Sequence, residues 1–436
     1  MATLDIQGSM GVDVVRARLD RAVFVLLCAL AVVLPVSTAG VEICGAAAIF
    51  LFLINRGITG CRQGGAAGAM GAVPLRLVIP LVFFLGICGL SILWSVDPKL
   101  SLRAFGGKSI GAALLLVTAA GTLTSRDRIL RFSLCLLASA FVVAMDGGWQ
   151  LWQGHDLLRG EALLRGCVSA SMNHPNGLGA YLIFALLPAL SLMLWSWTKE
   201  AQGVFSLISV RSLITGLTVV LCVVLGFTFS RGAWVGFLVG GGVLVALRRR
   251  YLVPLVLVVV LFLVIFLPLI ISFRHAALFS NNPLFTQSLD VVGSGRIGFW
   301  KDAVHIISDY PLGTGLNTYT VVIRKYVTTW HAYPHNSYLQ MAAEIGMAGL
   351  IVFLWFIWSF VQVTARRIAR SNHDAAGALA VGFLAGWAGI MVQSGLDTTF
   401  YSVQLSRMLW LVMGLLLAAA VMMAKDRPVT ETDPDI

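Results

Sequence analysis

Apolar stretches of about twenty residues recur along almost the whole chain, divided by short polar or basic connections. Each is long enough to cross a hydrocarbon layer ~30 Å thick as a helix. Twelve can be delimited, near residues 22–40, 41–55, 75–94, 105–124, 130–146, 175–197, 211–229, 232–247, 251–272, 337–364, 375–396 and 405–424. The second is the weakest, short and directly behind Ala39-Gly40. Spanning segments must satisfy their backbone internally, as helices or closed barrels. No stretch has the apolar–polar alternation of a barrel strand. The pattern predicts an all-α polytopic membrane protein with about 12 transmembrane helices. A hydrophobic fraction of 58 %, a charged fraction of 12 % and a mean hydropathy of +0.88 exclude an ordinary soluble core.

Basic residues set the expected orientation. With the N-terminus inside, the inner connections collect Arg16, Arg18 and Arg21; Arg56 and Arg62; Arg126, Arg128 and Arg131; Lys199 and Arg211; Arg248, Arg249 and Arg250; Arg366, Arg367 and Arg370; and Lys425 with Arg427. Short basic loops stay cytoplasmic, so the expected topology is N-in/C-in. Part of the net charge of +11 is then topological, and no stripe suited to nucleic acid competes with that reading. The expected organisation is nine spans over 1–272 with a medium outer loop at 147–174, a large outer loop at 273–336, three spans over 337–424 and a cytoplasmic tail at 425–436. Ser37 and Ala39 resemble a signal-peptide cleavage site, but a second span follows at once, which favours an uncleaved anchor.

Several chemistries find no support. Five of the seven cysteines lie in apolar spans and Cys61 is cytoplasmic, leaving Cys167 alone outside, so no internal disulfide is expected. No histidine pair has ligand spacing beside a carboxylate, and the sole Asp-x-Asp is in the cytoplasmic tail. No Walker or Rossmann glycine pattern appears. No cofactor and no metal are expected.

The outer face carries the chemistry. The large outer loop is too long to be a mere connector. Within it, Ser294 is placed to cap a helix with Ile297, Trp300, Val304 and Ile307 on one stripe, ended by Pro311 and followed by turns at Gly313 and Gly315. Arg296 falls in that helix's first turn, where guanidinium and free N–H groups suit an anion. Arg274, Lys301, Arg324 and Lys325 share the loop, and Arg159 and Arg165 lie in the other one; together they suggest an anionic ligand such as a phosphate. Arg231, in Ser230-Arg231-Gly232-Ala233, sits at a hairpin tip pressed against hydrocarbon, a costly place for a charge. His155, His174, His275, His305, His331 and His335 all fall outside. His335 precedes a helix expected to start at Asn336 or Ser337, with Ser337 and Gln340 at capping-box spacing. The positive end of that helix disfavours an imidazolium and keeps a neutral ring available as a base.

Three segments in order resemble the O-antigen ligase and polymerase superfamily of Wzy/WaaL-type membrane glycosyltransferases. They are Ser230-Arg231-Gly232-Ala233; Gly295-Arg296-Ile297-Gly298-Phe299-Trp300 leading to Tyr310-Pro311-Leu312-Gly313-Thr314-Gly315; and His335-Asn336-Ser337-Tyr338-Leu339-Gln340 leading to Glu344-Ile345-Gly346. Asn173-His174-Pro175-Asn176-Gly177 resembles the start of a middle span in that family. The resemblance covers roughly residues 165–350. It implies a GT-C-like enzyme of the bacterial inner membrane that works on the periplasmic face without metal or ATP. It moves a glycan from undecaprenyl pyrophosphate to lipid A–core, with membrane lipids as its other partners. Carried over by position, His335 is the expected base and Arg231 and Arg296 the expected pyrophosphate clamp. Arg165, Arg159, His174, Asn176, Lys301, Asn336 and Tyr338 are expected to line the substrates, with a helix-capping role for Asn173 or Asn176 as the alternative. The short chain end and the single dominant outer loop favour the ligase over the polymerase and the protein O-oligosaccharyltransferase. A lipid-linked glycan flippase is the non-enzyme alternative, to which Gly395-Leu396-Asp397 could be recruited.

Overall fold

A computed structural model of the chain describes residues 2–63, 73–164, 166–201, 208–278, 295–326, 333–371 and 374–425. Ser294, Arg165, His331 and the acidic tail lie outside the described residues. The chain forms α1 (Ala2–Val33), α2 (Thr38–Gln63), α3 (Leu75–Leu90), α4 (Pro98–Thr122, with a π-helical turn at Phe105–Ile110), α5 (Arg126–Gln153), α6 (Pro175–Ser196), α7 (Ile208–Phe227), α8 (Arg231–Leu247), α9 (Leu252–Leu278), α10 (Gly295–Asp309), α11 (Ser337–Ala369), α12 (Ala375–Gln393) and α13 (Val403–Lys425). Among the described residues nine helices are long and apolar enough to cross a membrane, and α3 and α8 are shorter apolar helices. This is a helical multi-pass membrane protein. The first break differs from the sequence expectation: it falls at Leu34–Ser37, where Pro35 cannot continue α1, so α2 is already under way at Gly40.

Helices α6, α8 and α12 form the centre. They pack without a hydrophobic driving force, so small residues decide how near they come. A methyl group on Gly236 would sit 2.8 Å from the Gly389 carbonyl oxygen, and one on Gly382 would sit 2.4 Å from Pro188 Cα. Gly236 and Gly240 against residues 385–389, and Gly382 against Pro188, thus mark close crossings. At one end of the bundle, Arg248 binds the Ala369 carbonyl and Ser371, Arg126 pairs with Asp374, and Arg250 pairs with Glu200. Arg126, Arg248 and Arg250 thus gather at this end, opposite the 335–397 region.

Helix α11 is broken, which the sequence reading missed. Ile345 (φ −119°, ψ 15°) and Gly346 (φ 73°, ψ 168°) leave helical geometry within one apolar run. The turn after α10 fills the gap: Thr314 N donates to the Ala343 carbonyl at 2.9 Å and Gly315 N to the Glu344 carbonyl at 2.8 Å. Glu344 itself is fully buried and accepts from Asn317 N, Tyr319 N and Gln340 Nε2. Sequence motifs 310–315 and 344–346 are therefore two halves of one joint. The connection between α3 and α4 holds the same turn, through Trp94 Nε1 to the Leu312 carbonyl (2.9 Å) and Val96 N to the Thr314 carbonyl (2.9 Å).

Helix α10 forms where Gly295, Asp309 and Pro311 bracket it, but its buried stripe is not the expected one. Ala303 and Ile306 are buried against Tyr319, Val322, Ile323 and Ala343, while Ile297 and Val304 are exposed. The apolar set is wide enough to serve two sides, one on protein and one facing out.

Gly313 (φ 88°) cannot accept a side chain, because an added methyl would lie 2.4 Å from the Glu344 carbonyl oxygen. Gly313→Ala is expected to cost about 2 kcal/mol or more, read as a lowered thermal midpoint of the detergent-solubilised protein. Gly298→Ala, where an added methyl meets nothing within 4 Å, is the control. Equal midpoints for the two variants would remove the joint as a source of stability.

Candidate active site

Three helices begin side by side, and each begins the same way. His174 caps α6, accepting from Asn176 N at 3.1 Å. Ser230 caps α8, accepting from Ala233 N, and Asn336 caps α11, accepting from Tyr338 N and Leu339 N. The residue before each cap has left-handed backbone: Asn173 (φ 62°), Phe229 (φ 48°) and His335 (φ 48°). Asparagine and histidine tolerate that region better than most residues, but phenylalanine does not favour it, and such strain persists only where the surroundings enforce it. The capping-box expectation is thereby corrected. Ser337 Oγ donates to the Asp397 carbonyl and Gln340 Nε2 goes to Glu344, so Asn336 is the cap. The caps expected from Asn173 or Asn176 are likewise supplied by His174.

The loop after α12 joins these starts. Ser337 N donates to the Ser394 carbonyl at 2.8 Å, and Phe400 N donates to Ser337 Oγ at 3.2 Å. Tyr338 OH donates to the Met391 carbonyl, and its ring packs edge-on against Phe400. Gln393 Nε2 donates to the Asn176 carbonyl at 3.3 Å. A methyl on Gly232 would meet Leu396 and Gln393, and one on Gly179 would meet Ser230 and Ala233. Starts of α6, α8 and α11 therefore surround residues 393–400.

At the centre, His335 Nδ1 lies 3.0 Å from Asp397 Oδ1, which also accepts Thr398 N at 2.8 Å. An ionised carboxylate only accepts, so Nδ1 carries the proton and Nε2 presents its lone pair. Burial pushes the Asp397 carboxyl up, but the His335 hydrogen bond and charge, the Thr398 amide and the charge of His174 outweigh it and hold the group below the ordinary carboxylate range. A neighbouring carboxylate orients an imidazole and stabilises it as it gains a proton. The sequence reading missed this role for Asp397. The available signal was an acid at the outer boundary of the 375–396 run, in a chain with only 20 acidic residues.

Arg231 is the first residue of α8 and is exposed, beside Gly232 and its contacts to the 393–396 segment. Phe299 of α10 stands over His335, with ring centroids 6.0 Å apart. Arg296 precedes Phe299 by three residues, so the two share a face of α10. Both arginines stand at the positive ends of helices, where a cation is disfavoured and a bound anion relieves the field.

Other expected residues divide. His174 and Asn176 are at the site through the contacts above, and Asn336 and Tyr338 hold its framework. Lys301 is five residues past Arg296, about 140° around the helix at 100° per residue, which turns it from the Phe299 face. Arg159 donates to Asn173 Oδ1 and to the Val36 carbonyl, so its guanidinium ties the 154–174 loop to the α1–α2 turn. Arg324 and Lys325 are exposed on a turn beyond Tyr319–Val322.

Residues 216–354 match the family model described as O-Antigen ligase. The matched segment contains Arg231, Arg296, His335 and the α11 break, and it ends before Asp397. A search of curated proteins found no match to the chain. The family implies ligase- or polymerase-like glycan transfer between lipid-linked substrates.

Asp397→Asn keeps the shape of the contact but removes its charge and permits the wrong imidazole tautomer. Any catalysis relying on His335 is expected to fall about 10²-fold or more. A depressed folded value means the carboxylate's contribution to stability is complete above its ordinary value of 3.8 and is lost as pH falls below it. The wild-type melting temperature should drop across that acid range, and Asp397→Asn should flatten the drop.

Proposed function

We propose that this protein transfers a glycan from a polyprenyl pyrophosphate to a sugar hydroxyl of a second membrane lipid, at the outer surface of the bacterial inner membrane. In the ligase reading, the donor is undecaprenyl-pyrophosphate-linked O-antigen and the acceptor is lipid A–core. The observation that carries this reading is the His335–Asp397 pair, with Phe299 of α10 over His335 and the first turn of α8, which bears Arg231, against Gln393 and Leu396.

The step balances without an outside energy source. His335 Nε2 takes the acceptor hydroxyl proton as that oxygen bonds to the anomeric carbon. The bond from that carbon to the pyrophosphate oxygen breaks, and its electron pair leaves with the pyrophosphate. A single displacement of this kind inverts the anomeric centre. Arg231 and Arg296 neutralise the leaving charge through planar forks matched to phosphate oxygens. Groups held in place before charge develops stabilise the transition state more than water does. Asp397 holds the imidazolium until the proton is lost.

Orientation follows from the far end of the bundle. The arginines gathered there fit the cytoplasmic side, which puts His335 on the periplasmic side, where both lipid substrates reach it by lateral diffusion. Helix α10 then covers His335 on the periplasmic side, with exposed Ile297 and Val304 toward lipid. Clustering of the proposed catalytic groups at one end of the bundle favours transfer over flipping.

With the purified protein, His335→Ala is expected to reduce transfer at least about 10²-fold while leaving expression intact. Arg296→Lys, which keeps charge but loses the fork, should cost about 10²-fold; unchanged rates would exclude pyrophosphate clamping by Arg296. Transfer is expected to survive chelation of divalent ions in detergent, where no gradient exists. Deleting the gene separates the subclasses on lipopolysaccharide gels: bare core for a ligase, core with one repeat for a polymerase, and an unchanged ladder for a protein-glycosylating enzyme.

A further inference from the structure

His335 bonds Asp397, and His174 caps the helix whose first turn is tied to the same loop; hydrogen bonding assigns their ring nitrogens oppositely. His335 directs Nδ1–H at the carboxylate and leaves Nε2 bare. In His174 the order is reversed. Its Nδ1 accepts the Asn176 amide at 3.1 Å, and a backbone amide can only donate. The His174 proton therefore resides on Nε2, at the distal edge of the ring. With Nδ1 occupied and Nε2 protonated, a neutral His174 cannot serve as a base and can serve as a donor.

Its position fits that use. The Asn176 carbonyl is bound by Gln393, four residues before Asp397. One turn into α6, Gly179 abuts Ser230 and Ala233, which flank Arg231. Capping alone does not account for a histidine here. Serine, threonine, aspartate and asparagine are the usual caps, and asparagines stand at both 173 and 176. What imidazole adds is an N–H held beyond the capping atom.

We propose that His174 is a second catalytic imidazole, donating a hydrogen bond from Nε2–H to the pyrophosphate oxygen that receives the electron pair as its bond to the sugar breaks. The acceptor proton still goes to His335, and His174 keeps its own. This assignment rests on the glycosyl-transfer reading and names the donor on the leaving-group side. Among the described residues, Asp397, His335, Arg231 at the start of the adjoining helix and Arg159, which bonds the adjacent Asn173, are charged or titratable groups in its surroundings.

Asparagine and glutamine separate the two ring nitrogens. His174→Asn keeps an acceptor where Nδ1 caps α6 and removes the distal N–H. His174→Gln puts an amide N–H near the place of Nε2 but caps poorly. Rates would be measured on the purified full chain in detergent, with an undecaprenyl-pyrophosphate-linked glycan as donor and lipid A–core as acceptor. His174→Asn is expected to keep the wild-type melting temperature and acceptor KM while kcat falls about 10²-fold. His174→Gln is expected to melt lower yet recover at least about tenfold of that loss. Rate and stability thus move in opposite directions, which a purely structural cap cannot produce. Wild-type kcat in His174→Asn, or rates that simply follow melting temperature, would overturn the assignment and leave the His335 reading standing. No transfer by the wild type with these substrates, or with a polymerase's second lipid-linked glycan as acceptor, would overturn both.

Discussion

A bilayer offers no water to an unpaired peptide group, so a membrane helix can be interrupted only where other protein atoms take over its hydrogen bonds. The rest of this architecture follows from how one interruption is met. Helix α11 stops being helical at Ile345–Gly346, and the 311–315 turn supplies the missing donors. The turn carries α10 with it, because Ala303 and Ile306 pack on the short Tyr319–Val322 segment and on Ala343. Helix α10 in turn holds Phe299 over His335. A loop that would otherwise wander over the membrane is thus registered to the histidine through backbone bonds within one turn of Glu344.

Around His335 the same economy appears in the helix starts. Caps at His174, Ser230 and Asn336 each follow a residue in left-handed conformation. That geometry reverses the chain within one residue and lets a helix begin at the boundary without a spacer. It also costs local strain, which the network from Ser337 to Asp397 and Phe400 holds in place.

Much of this was legible in the sequence. Apolar run lengths located the helices because hydrocarbon thickness is a hard constraint. Arg231, Arg296 and His335 were recognisable because a charge or an imidazole beside an apolar run needs a reason. What escaped depended on contacts between distant segments. Asp397 is 62 residues from its histidine, and nothing local distinguishes it from any loop acid. The α11 break left no trace, since Ile345-Gly346 reads as ordinary apolar sequence and the compensating donors lie thirty residues earlier. The α10 stripe was read in part: Ile307 packs beside Ala303 and Ile306, whereas Ile297 and Val304 are exposed. Arg159 looked like a ligand for phosphate, and only the folded loop shows it spent on Asn173 and the Val36 carbonyl.

Helix α8 is fixed at both ends. Its first turn rests on Gln393 and Leu396, and Arg248 just past its last turn grips the Ala369 carbonyl and Ser371 beyond α11. Between those anchors it behaves as a ruler of set length. One inserted residue would lift Arg231 by about 1.5 Å and swing it about 100° away from the histidine. Variation in chain length over evolutionary time should therefore accumulate in the connections and spare α8, whatever apolar residues fill it.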